Sequence, residues 1–208
     1  MSPDPPPPPT VFVVDDDVSF LRAVSRLLRA SGFQVVIHNS AAEFLTELQA
    51  ATQGCVITDL MMPGMDGMAL QEALRQAGSP LPIIFLTGHG DIPATVQAMR
   101  GGAVDFLTKR APKDDLIAAV NRALTRNREE QARHARLLEL RRPFELLTER
   151  EHEVLRHVVQ GKLNKQIAAD LGIHERTVKL HRTNITTKLG VHSVAELTRL
   201  VDAAGAFK

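Results

Sequence analysis

The 208-residue chain has no tryptophan, no tyrosine and one cysteine. A single thiol, Cys55, excludes an internal disulfide and any thiolate metal cage built from one chain. Set in an apolar run, it reads as a small core residue. No apolar run approaches the roughly 18–20 residues that span a bilayer. The opening MSPDPPPPPT has neither a basic nor an apolar region, so no secretory signal is expected and a cytoplasmic location is. Its prolines Pro5–Pro9 favour extended polyproline II, and residues 1–9 read as a disordered tail rather than an SH3-type ligand. Strong charge is lacking too, with a formal net charge of +1. That charge is uneven, at −3 over residues 1–113, +2 over 114–142 and +2 over 143–208. The imbalance suits phosphate chemistry first and nucleic acid after it.

Residues 10–110 alternate short apolar runs with helix-length segments. Thr10–Val14, Gln34–His38, Cys55–Thr58, Ile83–Thr87 and Val104–Thr108 are Val-, Ile- and Phe-rich and nearly continuous, as strands buried on both faces are. Helical patterns lie near 18–30, 40–49, 67–77 and 91–100. Leu21, Val24, Leu27 and Leu28 share one helical face, and Gly32, Gly54 and Gly78 mark stops. Five strands alternating with helices predict an α/β fold with a doubly wound parallel sheet. A fifth helix is expected from Asp114 to Arg142, packing through Ile117, Val120 and Leu124. Its stripe turns polar at Asn127, Gln131 and His134, and Pro143 stops it. Unbroken, it would run about 40 Å. Residues 147–203 carry no strand signal. Helices are expected over Glu149–Val159, Asn164–Leu171, Glu175–Leu189 and Ser193–Ala203, an all-α module with Gly161, Gly172 and Gly190 at the breaks.

Asp15 and Asp16 follow the first strand and Asp59 follows the third. In parallel sheets the ligand crevice lies beyond these strand ends. Three carboxylates there repel one another and call for a cation; oxygen ligands without His or Cys select Mg²⁺, with Mn²⁺ as the alternative. A carboxylate beside such an ion can attack a phosphoryl group. Lys109, after the fifth strand, adds positive charge, and Thr87, ending the fourth, adds a hydroxyl. Asp17 reads as a helix cap and Asp66, before Gly67, as a turn or cap residue, and His89 as a solvated loop residue.

Residues 10–124 resemble a response-regulator receiver domain. The resemblance rests on Val13-Val14-Asp15-Asp16-Asp17, Thr58-Asp59-Leu60-Met61-Met62-Pro63-Gly64-Met65-Asp66-Gly67, Leu86-Thr87-Gly88-His89-Gly90-Asp91 and Gly102-Ala103-Val104-Asp105-Phe106-Leu107-Thr108-Lys109. It implies a flavodoxin/CheY-like fold with Asp59 as phosphoacceptor. Mg²⁺ would be held by Asp15, Asp16, Asp59 and the backbone carbonyl of Met61. Thr87 and Lys109 would sense phosphate, and Phe106 would rotate as Thr87 shifts. One departure stands out: Arg110 follows Lys109 where the family usually has proline after a cis bond. A cis bond before a non-proline residue costs about 2.5–4 kcal/mol, so a trans loop that aims Lys109 differently is expected, with looser coupling to phosphate.

In the second half, Asn164–Leu171, Gly172-Ile173-His174 and Glu175–Leu189 read as helix, turn, helix. Val178, Ile185 and Leu189 face inward; Arg176, Lys179, Leu180 and Thr183 form an outward stripe suited to a major groove. Arg176, Lys179, Arg182 and Lys188 supply phosphate neutralisation. Leu147-Thr148-Glu149-Arg150-Glu151-His152-Glu153-Val154-Leu155, Asn164-Lys165-Gln166-Ile167-Ala168 and Thr177-Val178-Lys179-Leu180-His181-Arg182 resemble the LuxR-type helix-turn-helix. By position this implies Lys179, Leu180 and Thr183 at base edges and Arg176, Arg182 and Lys188 near phosphates. Glu151 looks structural, and His174 replaces the usual Ser or Thr cap.

Together the halves resemble FixJ- and NarL-type regulators: a receiver over 10–124, a linker helix over 125–143 and a DNA-binding domain over 144–208. The implied partners are a sensor histidine kinase, promoter DNA and, on phosphorylation, a second copy of the chain, with RNA polymerase a further candidate. Slow self-dephosphorylation is the only turnover expected. A phosphatase would want a carboxylate two residues after Asp59, where Met61 stands. A small-molecule sensor would bring aromatic pocket residues, and the chain has no Trp or Tyr. A phosphate-independent regulator is the remaining alternative, raised by Arg110.

Overall fold

A computed structural model describes residues 9–49, 52–88 and 92–207. The tail expected over residues 1–9 lies outside these but for Pro9, as do His89, Gly90 and Asp91. The chain divides into two compact units, 1–131 and 132–208.

In the first unit, β1 (Thr10–Val14), β2 (Gln34–His38), β3 (Gly54–Thr58), β4 (Ile83–Thr87) and β5 (Asp105–Thr108) pair in parallel, in the order β2-β1-β3-β4-β5. Between them lie α1 (Val18–Ala30), α2 (Ala41–Glu47), α3 (Gly67–Gln76) and α4 (Ile92–Arg100). Neighbouring positions of β3 face opposite ways. Cys55 and Ile57 join a core with Leu21, Leu28, Leu116 and Val120, whereas Val56 joins Phe44, Leu70, Leu74 and Phe85. Helices covering both faces explain why the strand reads as an uninterrupted apolar run. The fold is the α/β doubly wound sheet expected from the sequence.

Helix α5 is continuous over Lys113–Arg141. Its inward stripe does not end where the polar residues begin. Asn127 is only 2% exposed. Its Oδ1 accepts from the Gly54 N–H at 3.1 Å and its Nδ2 donates to the Pro80 carbonyl at 3.0 Å. A buried amide so paired satisfies backbone groups that the sheet leaves open. After α5 the backbone tightens into a 3₁₀ turn, Arg142–Leu146, which the sequence reading did not anticipate. Pro143 fits its first turn because no N–H is required there.

The second unit contains α6 (Glu149–Val159), α7 (Asn164–Leu171), α8 (Glu175–Leu189) and α9 (Val194–Ala204). They close on Val154, Leu155, Ile167, Val178, Ile185 and Leu197. Thr148 and Glu151 form a reciprocal capping box at the start of α6.

Candidate functional sites

The ends of β1 and β3 bring three carboxylates together. One oxygen each from Asp15, Asp16 and Asp59 lies within 4.8 Å of the others. Asp15 is 1% exposed and Asp59 8%, while Asp16 is open to solvent. Local backbone holds Asp15 and Asp59 in place. Asp15 Oδ1 accepts from the Asp17 N–H at 2.9 Å, and Asp59 Oδ1 accepts from the Leu60 N–H at 2.6 Å. Asp17 caps α1, accepting from the Ser19 and Phe20 N–H groups, and Asp66 caps α3. At Gly67 an added Cβ would meet the Asp59 carbonyl oxygen at 2.2 Å. Only glycine therefore lets α3 begin this close behind the phosphoacceptor candidate.

Lys109 reaches into the cluster. Its Nζ lies 2.6 Å from Asp15 Oδ2 and 2.8 Å from Asp59 Oδ2. It also sits 4.4 Å from the centroid of the Phe20 ring. No cis peptide occurs among the described residues, so the Lys109–Arg110 bond is trans, as expected. The expected misdirection of Lys109 does not follow. The Lys109 N–H donates to the Thr87 carbonyl at 2.7 Å, which anchors the loop, and the long side chain covers the remaining distance. Burial pushes the Asp15 carboxyl above the usual carboxylate range, more than Lys109 and the Asp17 N–H lower it. Burial alone would lower the Lys109 ammonium, but the hydrogen bonds it donates to Asp15 and Asp59 hold it above its ordinary value.

The donor set fits a hard divalent ion. It is all oxygen, convergent and partly buried. Met61 lies beside it, its side chain exposed and its N–H 3.5 Å from Asp59 Oδ1. Thr87 is buried at the end of β4. Phe106, opposite Phe85 in the β4–β5 register, is half-buried and stacks on its ring with centroids 5.8 Å apart. Phe20 is the residue that the sequence reading missed. The available signal was an aromatic in the first turn of α1, three residues after the Asp17 cap.

In the second unit, α7, the turn at Gly172-Ile173-His174 and α8 form the helix-turn-helix. His174 caps α8 without a side-chain bond. Arg176, Lys179, Leu180 and Thr183 lie exposed on α8, with Leu180 59% exposed despite being apolar. Arg182 is half-buried, and its Nη1 donates to Asn164 Oδ1 at 2.9 Å, tying α8 to α7. Lys188, at the exposed end of α8, has a partner that its position did not suggest. Its Nζ donates to Glu151 at 2.7 Å and to the Leu146 carbonyl at 3.0 Å, so it neutralises a buried carboxylate. A position-based reading could not see this, because Glu151 is contributed by another helix. Burial pushes the Glu151 carboxyl up, but bonds from Lys188 and Thr148 overcome it and leave it at about 2.

The fold and these two sites define a class: a CheY-like receiver joined to a helix-turn-helix DNA-binding module. Comparison with known proteins places the chain within it. Residues 11–121 match the response regulator receiver domain, and residues 145–201 match the bacterial regulatory proteins of the luxR family. The chain is 41% identical over 192 residues to the response regulator protein TodT of Pseudomonas putida, covering 92% of this chain and 85% of that one. It is 42% identical over 197 residues to the transcriptional regulatory protein FixJ of Azorhizobium caulinodans, covering 94% and 92%. Among solved structures, the response regulator StyR matches with a TM-score of 0.78 at 45% identity, covering 94% of this chain and 98% of that one. Full-length FixJ from B. japonicum matches with a TM-score of 0.58 at 36% identity, covering 96% and 98%. The chain belongs to the response-regulator transcription factors of the FixJ type, with a receiver domain followed by a LuxR-type DNA-binding domain. No helix among the described residues is long and apolar enough to cross a membrane.

Proposed function

We propose that Asp59 accepts a phosphoryl group from a sensor histidine kinase, and that this modification controls pairing of two chains and promoter binding by α8. The observation that carries the reading is the convergence of Asp15, Asp16, Asp59 and Lys109 at one sheet edge. Asp59 Oδ2 is the attacking atom. It forms the new O–P bond as the donor's P–N bond breaks, and the leaving imidazole keeps the electron pair. Lys109 balances charge on the phosphoryl oxygens, and the Thr87 hydroxyl donates to one of them. Asp15, Asp16, Asp59 and the Met61 carbonyl would hold Mg²⁺, or Mn²⁺ in its place, which when bound neutralises charge on the transferring group. Slow self-dephosphorylation is the only turnover proposed, because Met61 supplies no acid or base two residues after Asp59.

The switch would pass through Thr87 and Phe106 to α4 and β5. Exposed Ile92, Val96 and Met99 on α4 support this as the surface that pairs with a second copy. The working division is a receiver over 10–124, a linker over 125–143 and a DNA-binding domain over 144–208. On α8, Lys179, Leu180 and Thr183 would meet base edges, with Arg176 and Arg182 near phosphates. The phosphate-independent alternative rested on Arg110; the contacts of Lys109 with Asp15 and Asp59 support the phosphate-dependent reading over it.

The test is intact mass after incubation with acetyl phosphate and Mg²⁺. The protein should gain one phosphoryl group, lose the gain without Mg²⁺, and show none as Asp59→Asn. A gain that persists in Asp59→Asn refutes the assignment.

A further inference from the structure

We infer that Phe20 is a positioning residue for Lys109, holding its ammonium at the crevice when the carboxylates are otherwise engaged. This rests on the phosphoacceptor reading of Asp59.

Three contacts locate the Lys109 ammonium: Asp15 Oδ2 at 2.6 Å, Asp59 Oδ2 at 2.8 Å and the Phe20 ring centroid at 4.4 Å. The first two belong to the groups a divalent cation would take, and such a cation also repels the ammonium. The third does not compete, since the face of a neutral ring binds a cation through its quadrupole and has no lone pair for a metal. The side chain has somewhere else to go. A cleft of about 200 Å³ lined by Phe20, Leu27, Leu86, Thr108, Lys109 and Leu116 opens beside its stem. After Lys109 the backbone continues through a trans bond into Arg110, which adds no ring constraint to the loop.

Phe20 itself is well fixed. It lies in the first turn of α1, its N–H donates to Asp17 Oδ1 at 3.1 Å, and it packs against the core of Leu21, Leu28 and Leu116. One aspartate motif thus does two things: Asp15 belongs to the carboxylate cluster, and Asp17 caps the turn that presents the ring to Lys109.

Packing alone would also place an aromatic here, so the test separates the ring's face from its bulk. Initial rates of phosphoryl gain from acetyl phosphate with Mg²⁺ are followed by intact mass in the full chain. Phe20→Leu keeps an apolar though smaller side chain and should slow the reaction by about two- to thirty-fold, the range that a cation–π contact spans. Phe20→Trp, which puts a ring face back, should restore most of the rate. In a Lys109→Met background Phe20→Leu should cost nothing more, because the two residues act through one contact. A second readout needs no phosphoryl transfer. The natural chain has no tryptophan, so the indole of Phe20→Trp is the sole emitter, and adding Lys109→Met should shift its emission in the unmodified protein. The inference is overturned by an unslowed Phe20→Leu, by an equal loss in the Lys109→Met background, or by matching emission spectra. A wild-type chain that gains no phosphoryl group overturns the phosphoacceptor reading instead, while the emission comparison still decides whether ring and ammonium touch.

Discussion

Residues of one chemical type serve different ends in this chain, and their surroundings decide which. Asp15 and Asp59 are buried and converge on Lys109, while Asp17 and Asp66, close by in sequence, cap helices. Lysines divide in the same way. Lys179 lies exposed on α8, whereas Lys188 on the same helix is bonded to Glu151, a carboxylate only 3% exposed. Lys188→Met should therefore destabilise the second unit by about 1–3 kcal/mol, since it leaves a buried carboxylate without its counter-charge. Lys188 is about one-third exposed, which favours the lower end because solvent can replace part of the contact. The pH dependence follows from Glu151, whose carboxyl is held at about 2, below its ordinary 4.5. A depressed carboxylate contributes stability that is full above the unfolded value and disappears as pH falls from about 4.5 through about 2. Urea unfolding across that window should show Glu151→Gln losing less stability on acidification than the natural chain. Parallel losses in the two proteins would contradict the assignment.

At the scale of elements, α8 presents two faces with different tasks. Val178, Ile185 and Leu189 are buried, and Arg176, Lys179, Leu180 and Thr183 stand out to solvent. Exposed cations on such a face act through counterion release, which makes binding salt-dependent. Arg176→Ala is expected to weaken promoter binding across all sequences and lower the salt slope by about one. Lys188→Met should leave that slope as it was. Fluorescence anisotropy on labelled duplex over a salt series measures both, and a slope lowered by Lys188→Met would return that residue to the DNA face. In the first unit α3 and β3 show how closely elements can approach. The Asp59 carbonyl lies where a Cβ on Gly67 would stand, so the helix start and the carboxylate cluster form one piece of architecture.

For the whole molecule, the proposed response is a change in association. The receiver would use the exposed α4 residues Ile92, Val96 and Met99 for pairing once Asp59 is modified. Sedimentation with a beryllofluoride phosphate mimic should show the mass of a dimer and tighter promoter binding, and Asp59→Asn should show neither. Equal mass and equal affinity with and without the mimic would refute the mechanism at this scale while leaving the fold and family untouched.

What the sequence by itself determined is what local pattern encodes. Continuous apolar runs marked strands buried on both faces, and helical spacing marked α1 and α5. Glycines and cap residues marked boundaries, so β1, β2 and β4 lie where the pattern put them. The acidic cluster was legible because strand ends in a parallel sheet share one edge. Only the tertiary structure decided the rest, and the reason is separation along the chain. Asn127 bonds to Gly54, Lys188 to Glu151 and Lys109 to Asp59 across 73, 37 and 50 residues. No periodicity records such pairings. They exist because two surfaces meet: a polar helix residue becomes a clamp, a lysine of α8 becomes the counter-ion of a buried carboxylate, and a loop lysine lacking its usual proline reaches the carboxylate cluster.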